Sequence, residues 1–240
     1  MKHIVALSGG KDSTALALRL AEIGGREYEY ICTPTGNELP DMIRHWGTLE
    51  CLLRKKLKKI GCGMSLYDVI EQAKMIPNHR ARFCTRILKI EPAIEYMKSL
   101  SERSIMYVGL RADEEERKGI FGEEIEVKFP LREWGWGIGD VFAYLEEKKI
   151  NIPRRTDCAV CFHQRLGEWW DLWRDYPDLF DEAVELENKY EHTFRSEDRD
   201  TWPASLEGLK SRFERGEIPS GLSINYTLFG NDGPCRVYRL

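Results

Sequence analysis

Nowhere in these 240 residues does an apolar run approach the ~18 to 20 residues that a membrane-spanning helix requires, so a spanning segment is excluded. The start, Lys2-His3 leading straight into Ile4-Val5-Ala6-Leu7, is too short for the apolar region of a signal peptide. Both absences point to a cytoplasmic protein without a membrane partner. Internal repeats and low-complexity segments are also missing, which removes solenoid and disordered classes. An excess of basic charge is absent too: the formal net charge of -4 argues against a globally basic nucleic-acid protein. Two local basic clusters, Arg54 to Lys59 and His79 to Arg82, still leave a polyanion site open. The seven cysteines form no even set, and in a reducing compartment that favours metal binding or catalysis over a disulfide framework. Cys32, Cys51 and Cys62 read as buried structural thiols, small hydrophobes in apolar or helical surroundings.

What is present is an alternation of short apolar runs and helical patterns. Ile4 to Leu7 reads as a strand, followed by a glycine loop and a helix from Ser13 to Glu22 that Gly24-Gly25 closes. Tyr28 to Thr33 is a second strand. A helix from Asp41 to Lys59 follows, with Pro40 at its start. Ser65 to Asp68 suits a strand or turn before another helix, Ile87 to Leu100 a helix that Pro92 kinks or begins, and Ser104 to Leu110 a strand. Phe129 to Leu131 reads as extended and Ile138 to Lys149 as a helix. The expectation is a doubly wound, mostly parallel α/β sheet over residues 1–153. Residues 154–240 form a helical, loop-rich appendage, with helices from Gly167 to Tyr176 and Leu179 to Tyr190 and a tail from Trp202 punctuated by Gly and Pro. Trp169, Trp170, Trp173 and Tyr176 make an aromatic stripe that packs this appendage, or else offers a platform for stacked bases.

The segment with the clearest chemistry is Ser8-Gly9-Gly10-Lys11-Asp12-Ser13-Thr14. A loop between a buried strand and a helix N-terminus presents unpaired backbone N–H groups to an anion, and the helix dipole favours negative charge there. Gly9 and Gly10 remove the Cβ atoms that would block close approach. Lys11 can neutralise charge, and the hydroxyls of Ser8, Ser13 and Thr14 can donate. The bland alternative is a tight turn with a capping Asp12 or Ser13. The pattern G-x-x-x-x-G-K-[ST] is absent, so this is no Walker A loop.

The loop resembles the PP-loop S-G-G-x-D-S of the ATP pyrophosphatase superfamily, and four later segments narrow the likeness to its phosphoadenylyl-sulfate and adenylyl-sulfate reductase branch. Thr35 to Pro40 is similar to that family's D-T-G-x-x-F-P, with Thr33-Pro34 where an acidic residue is expected. Cys84 to Pro92 is similar to C-x-x-x-x-K-[IV]-x-P. Gly109-Leu110-Arg111-Ala112-Asp113-Glu114 with Arg117 resembles G-x-R-x-x-E-S-x-x-R without its serine. Phe129 to Leu145 resembles P-L-x-x-W-x-x-x-D-V-x-x-Y. The resemblance implies a PP-loop fold and a site for ATP or an adenine sulfonucleotide made by Ser8, Gly9, Gly10, Lys11, Asp12, Ser13, Thr14, Gly36, Lys89, Arg111 and Arg117.

Cys158-Ala159-Val160-Cys161 has the spacing that directs two thiolates to one metal centre. Cys84 stands at the first place of the Cys-Cys pair that, with a later CxxC, holds a [4Fe-4S] cluster in assimilatory reductases of the family; Thr85 stands at the second. The resemblance therefore implies a cluster on Cys84, Cys158 and Cys161, with Cys235, His163 or a small molecule as fourth ligand. Zinc held by the three cysteines and His163, or unliganded thiols, remain alternatives. The reductases also carry a catalytic E-C-G-[LI]-H near the end; here the tail reads Gly233-Pro234-Cys235-Arg236, with the cysteine but not its neighbours.

Three functions follow as expectations. In the first, Lys11 stabilises pyrophosphate as it leaves ATP in an adenylation-dependent sulfur transfer to a nucleic acid or small molecule, with a sulfur donor as partner. The second is reduction of adenylyl sulfate or phosphoadenylyl sulfate by Cys235 with a thiol reductant. The last is a non-catalytic nucleotide-binding or redox-sensing module with a structural metal site.

Overall fold

A computed structural model describes residues 1–117 and 125–219 of the chain. Its centre is a five-stranded, all-parallel sheet made of β1 (Lys2–Ala6), β2 (Tyr28–Cys32), β3 (Leu57–Lys59), β4 (Ser104–Tyr107) and β5 (Glu126–Lys128), in the order β3-β2-β1-β4-β5. Helices α1 (Lys11–Ile23), α2 (Pro40–Leu53), α3 (Leu66–Ala73), α4 (Phe83–Thr85), α5 (Glu91–Ser99), α6 (Pro130–Glu133) and α7 (Ile138–Glu147) link and flank the strands. Helices α8 (Leu166–Asp175), α9 (Pro177–Tyr190) and α10 (Leu206–Glu214) follow. This is the expected α/β architecture.

Side chains alternate across each strand, so successive residues enter opposite cores. Val5, Tyr28, Tyr30, Ile105 and Tyr107 pack with α1, α2 and α7. Their neighbours Ile4, Ile31 and Met106 pack on the other face with Ala93 and Met97 of α5. With both faces covered, the central parts of β1, β2 and β4 are apolar, while the edge strands β3 and β5 carry charge. A third core joins α8, α9 and α10 to Leu66, Val69 and Ile70 of α3 and to Leu88. Trp169 is fully buried in it, 6.3 Å from the Phe180 ring and 5.7 Å from Phe194. The aromatic stripe thus serves packing.

Three local expectations need correction, and a fourth, at Pro92, is decided between its alternatives. The helix from Asp41 stops at Leu53, because Arg54 turns left-handed and Leu57–Lys59 pairs with β2, burying Leu57. The basic run is therefore a charged sheet edge, a common guard against strand addition. Its lysines face acids: Lys55 with Glu27 at 3.0 Å, Lys56 with Glu50 at 2.9 Å and Lys58 with Glu29 at 3.5 Å. Of the two roles open to Pro92, the structure shows the second: a wider π-type turn covers Arg86–Ile90, and α5 starts at Glu91 with Pro92 in its first turn, where its missing N–H costs no bond. Pro130-Leu131 opens the short helix α6 instead of an extended segment. Finally, Cys51 and Cys62 are exposed; only Cys32 of that trio is buried.

Among the described residues no helix is long and apolar enough to cross a membrane. The strand order reverses at β1, between β2 and β4. Ligands of open α/β sheets bind beyond the strand ends at such a switch point, and the loops after β1 and β4 both open there.

Candidate functional site

The loop after β1 is shaped by its own short-range bonds. Gly9 N–H donates to Ser13 Oγ at 3.2 Å, Gly10 N–H to Ser8 Oγ at 3.3 Å, and Ser13 Oγ–H to the Gly10 carbonyl at 3.1 Å. Gly9 lies at φ 89°, and a Cβ there would sit 2.1 Å from Met42 Cε and 2.8 Å from Trp46 Nε1. Only glycine suits both the backbone and the space. Trp46 Nε1–H also donates to the Ser8 carbonyl at 2.8 Å, so α2 forms the floor of the loop. Beside it, His45 Nε2 lies 3.5 Å from Thr14 Oγ1; burial lowers the His45 pKa to about 4, which keeps the imidazole neutral. No side chain caps α1. Its first-turn N–H groups are thus placed to meet an anion.

The loop after β4 closes on the same helix end. A Cβ on Gly109 would stand 3.0 Å from the backbone carbon of Asp12, so the approach of β4 to α1 depends on glycine. Arg111 is 6% exposed and divides its guanidinium among Asp12 (2.9 Å), Asp113 (2.9 Å) and Glu114 (3.6 Å). Arg117 pairs with Glu114 at 2.5 Å. Arg132 holds this loop from α6, donating to the carbonyls of Arg111, Glu114 and Arg117. Arg111 therefore reaches the glycine loop through Asp12, and Arg117 stands one residue pair behind it. Burial raises the Asp12 pKa, with Lys11 and Arg111 opposing, and its Oδ1 has no hydrogen-bond partner among the described residues.

The cysteines meet on the other side of the loop. Cys84, Cys158 and Cys161 line one cavity together with Thr35, Arg82, Lys89, Asp157, Phe162 and His163. Lys89 thus sits at the thiols. The segment after β2 fastens the CxxC turn: the Ala159 N–H donates to the Asn37 carbonyl at 2.7 Å and the Val160 N–H to Asn37 Oδ1 at 2.9 Å. Glu38 and Cys158 form an antiparallel bridge, and Thr35 Oγ1 lies 3.2 Å from Cys158 Sγ. Gly36, at φ 72°, lets this segment pass Ser65, whose Cβ would be 3.0 Å from an added methyl. Burial raises the pKa of Cys84, as does Cys158, with Lys89 opposing; burial, Asp157 and Cys158 raise that of Cys161 against Arg155. Among the described residues no three His, Cys, Asp or Glu side chains converge as a single metal ion requires. The thiols ring a cavity instead.

One short segment touches both centres. Thr156 Oγ1 would be 3.5 Å from a Cβ at Gly10, and two residues on is Cys158. Thr35, Asn37, His45, Trp46, Gly109, Arg132, Arg155 and Thr156 were not singled out as site residues by the motifs. Thr35, Asn37, Gly109 and Arg132 stand inside quoted motifs, which was the available signal; His45, Trp46 and Thr156 meet the loop through contacts distant in sequence, and Arg155 bonds Cys158 three residues on. Cys235 lies outside the described residues.

The chain is 23% identical over 211 residues to uncharacterized protein MJ0066 of Methanocaldococcus jannaschii, covering 78% of this chain and 42% of that protein. It is 25% identical over 236 residues to uncharacterized protein MJ0973 of the same organism, covering 88% and 55%. The chain thus spans about half the length of these curated relatives. Among solved structures, a U34-tRNA thiolase, NcsA from Methanococcus maripaludis with its [4Fe-4S] cluster, superposes over 100% of this chain and 80% of its own at TM-score 0.51 and 16% identity. A phosphoadenylyl-sulfate reductase from Candida auris in complex with phosphate matches 63% of this chain and 75% of its own at TM-score 0.49 and 15% identity. The family model of the phosphoadenosine phosphosulfate reductase domain matches residues 2–154, from β1 to the approach of the CxxC turn, and the chain belongs to that family.

Proposed function

We propose that the protein is a cytoplasmic PP-loop enzyme that binds ATP at Ser8 to Thr14 and transfers sulfur to an activated acceptor, a nucleic acid or a small molecule. The observation that carries this reading is the pair of adjoining centres: an uncapped helix N-terminus behind a glycine loop, and three thiols ringing one cavity, joined by residues 155–158.

The acceptor's carbonyl oxygen attacks the α-phosphorus of ATP, the bond to the β-phosphate breaks, and pyrophosphate leaves with the electron pair. Lys11 and the first-turn N–H groups of α1 stabilise that leaving charge. Asp12, held by Arg111, fixes the helix end on which they stand. Sulfur from a sulfide-type donor then attacks the activated carbon and displaces AMP, giving a thiocarbonyl with loss of a proton.

We read the cysteine centre as a [4Fe-4S] site on its donor set, three thiols lining one cavity, since iron–sulfur clusters are held by cysteine thiolates. Arg82, Lys89 and Arg155 supply positive charge around an anionic centre. The superposed thiolase carries such a cluster, which supports this reading. Cys84, Cys158 and Cys161 would hold it, and it would supply iron that takes soft sulfur ligands and single electrons.

Anaerobic purification with iron, sulfide and zinc analysis is the first test. A brown protein with about four irons per chain is expected; a colourless zinc protein would sink the cluster reading. Acceptor-dependent pyrophosphate release from ATP tests the loop. The family match favours one second reading, reduction of a sulfonucleotide through Cys235. Sulfite release from adenylyl sulfate that disappears in Cys235→Ser would establish it.

A further inference from the structure

Gly10 holds the N-cap position of α1 at φ -68° and ψ 163°, the extended backbone from which a Ser or Asp swings its side-chain oxygen over the N–H groups of the first turn. Having no Cβ, it leaves that place vacant. Apart from its chain neighbours, the atoms nearest to a Cβ built there are Thr156 Oγ1 at 3.5 Å and Ser8 Oγ at 3.6 Å. Two hydroxyls thus flank the missing cap. An anionic oxygen suits the vacant place, because the first-turn N–H groups have no partner within the helix and the helix dipole draws negative charge to them.

Ser8 belongs to the glycine loop and its oxygen is already engaged, accepting the Gly10 N–H at 3.3 Å and lying 3.0 Å from Ser13 Oγ. Thr156 is half-buried and comes from the other side, beyond the residues 2–154 that the family model matches. Its place is set from the cysteine turn. Arg155, buried, donates through Nη2 to the Cys158 carbonyl at 2.6 Å, while its Nε and Nη1 make no hydrogen bond among the described residues. Cys158 in turn bridges to Glu38, and the Ala159 N–H is held by the Asn37 carbonyl at 2.7 Å. The Thr156 hydroxyl is therefore carried to Gly10 on a turn whose backbone is fixed just behind it.

We propose that Thr156 is a phosphate-binding residue: its hydroxyl donates to the nucleotide phosphate oxygen that takes the place of the missing cap on α1. The inference rests on the reading of Ser8 to Thr14 as an ATP site. A hydroxyl bonded to a charged oxygen is worth more than one bonded to a neutral acceptor. The contact also ties the nucleotide to the turn that bears Cys158, two residues on, so bound ATP steadies that turn.

The test uses the full chain as wild type, Thr156→Ser and Thr156→Val, with ATP as the probe. Affinity is read by calorimetry, and amide hydrogen exchange of residues 155–161 is followed without ATP and at saturating ATP. Val keeps the shape of Thr and loses the hydroxyl; Ser keeps the hydroxyl and loses the methyl. ATP binding should be at least about tenfold weaker in Thr156→Val, the scale of one hydrogen bond to a charged group, with Thr156→Ser within about threefold of wild type. ATP should slow exchange across the turn in wild type and Thr156→Ser but not in Thr156→Val. Equal affinity in wild type and Thr156→Val overturns the proposal, and so does a Thr156→Ser variant as weak as Thr156→Val, which assigns the effect to packing of the methyl. Wild type that binds ATP with no change of exchange in the turn overturns it too. Wild type that binds no ATP overturns the ATP reading and this inference together. Should Thr156→Val fail to fold, Thr156→Ala takes its place under the same criteria.

Discussion

The glycine loop after β1 and the cysteine cavity are neighbours, yet they are held by different means. In the loop, Gly9 bonds to Ser13 and Gly10 to Ser8, partners four and two residues apart. In the cavity, Cys84 meets Cys158 across 74 positions, and the CxxC turn is fixed by Asn37, 123 residues before Val160. A site built from local bonds is set as soon as its strand and helix form. One built from distant contacts depends on the packing of every element between them. The cysteine centre is therefore the half that mutation and chemistry should disturb first, with the loop left intact.

The sharpest break is Cys158→Ala. Cluster retention in anaerobically purified protein should fall to background, while ATP affinity by calorimetry stays within about twofold of wild type; parallel loss of both would show that the halves are one cooperative unit. Gly9→Ala makes the opposite cut. A residue with a Cβ at that φ costs about 1–3 kcal/mol, and the methyl also meets Met42 and Trp46, so ATP binding should weaken at least about tenfold while iron content is retained. Asn37→Ala leaves the buried Val160 N–H without its acceptor, a loss of about 1–3 kcal/mol. Iron should leave that variant faster in a chelator assay, and its melting temperature should drop.

The smallest effect concerns pH. Glu187 of α9 accepts the Phe194 N–H at 2.8 Å and the Leu206 N–H at 2.6 Å, inside the core that α8 to α10 share with α3. Burial raises its pKa from 4.5 to about 7, opposed by those two N–H groups and by Arg195. The folded state therefore binds the proton more tightly than the unfolded chain. Its stabilising contribution is complete below about pH 4.5, falls as pH rises through about 7, and is gone above. Hydrogen exchange should show the core beneath the cavity loosening across that window before the phosphate loop does. Glu187→Gln should flatten the dependence; an unchanged slope assigns it elsewhere.

The alternation of elements, the glycine loop and the CxxC turn were legible because each is local: a strand, a turn and a helix start within some twenty residues each. The strand at Leu57–Lys59 was not. Its Leu and Lys residues suit a helix by propensity, and only pairing with β2 overrides it. Arg111 was legible as a residue of the site, but its partners were not, because Asp12 is 99 positions away. Arg155 gave no signal, being one arginine beside another until its burial is known.

The amino-acid order alone determined that a glycine loop lies between the first strand and the first helix and that Cys158 and Cys161 stand in CxxC spacing, since both depend on neighbours in sequence. Only the tertiary structure decided that Cys84 shares a cavity with Cys158 and Cys161, that Arg111 reaches the loop through a carboxylate, and that Arg155 lies buried with donors to spare. Those are statements about distance and solvent exclusion, and neither quantity exists until the chain has packed.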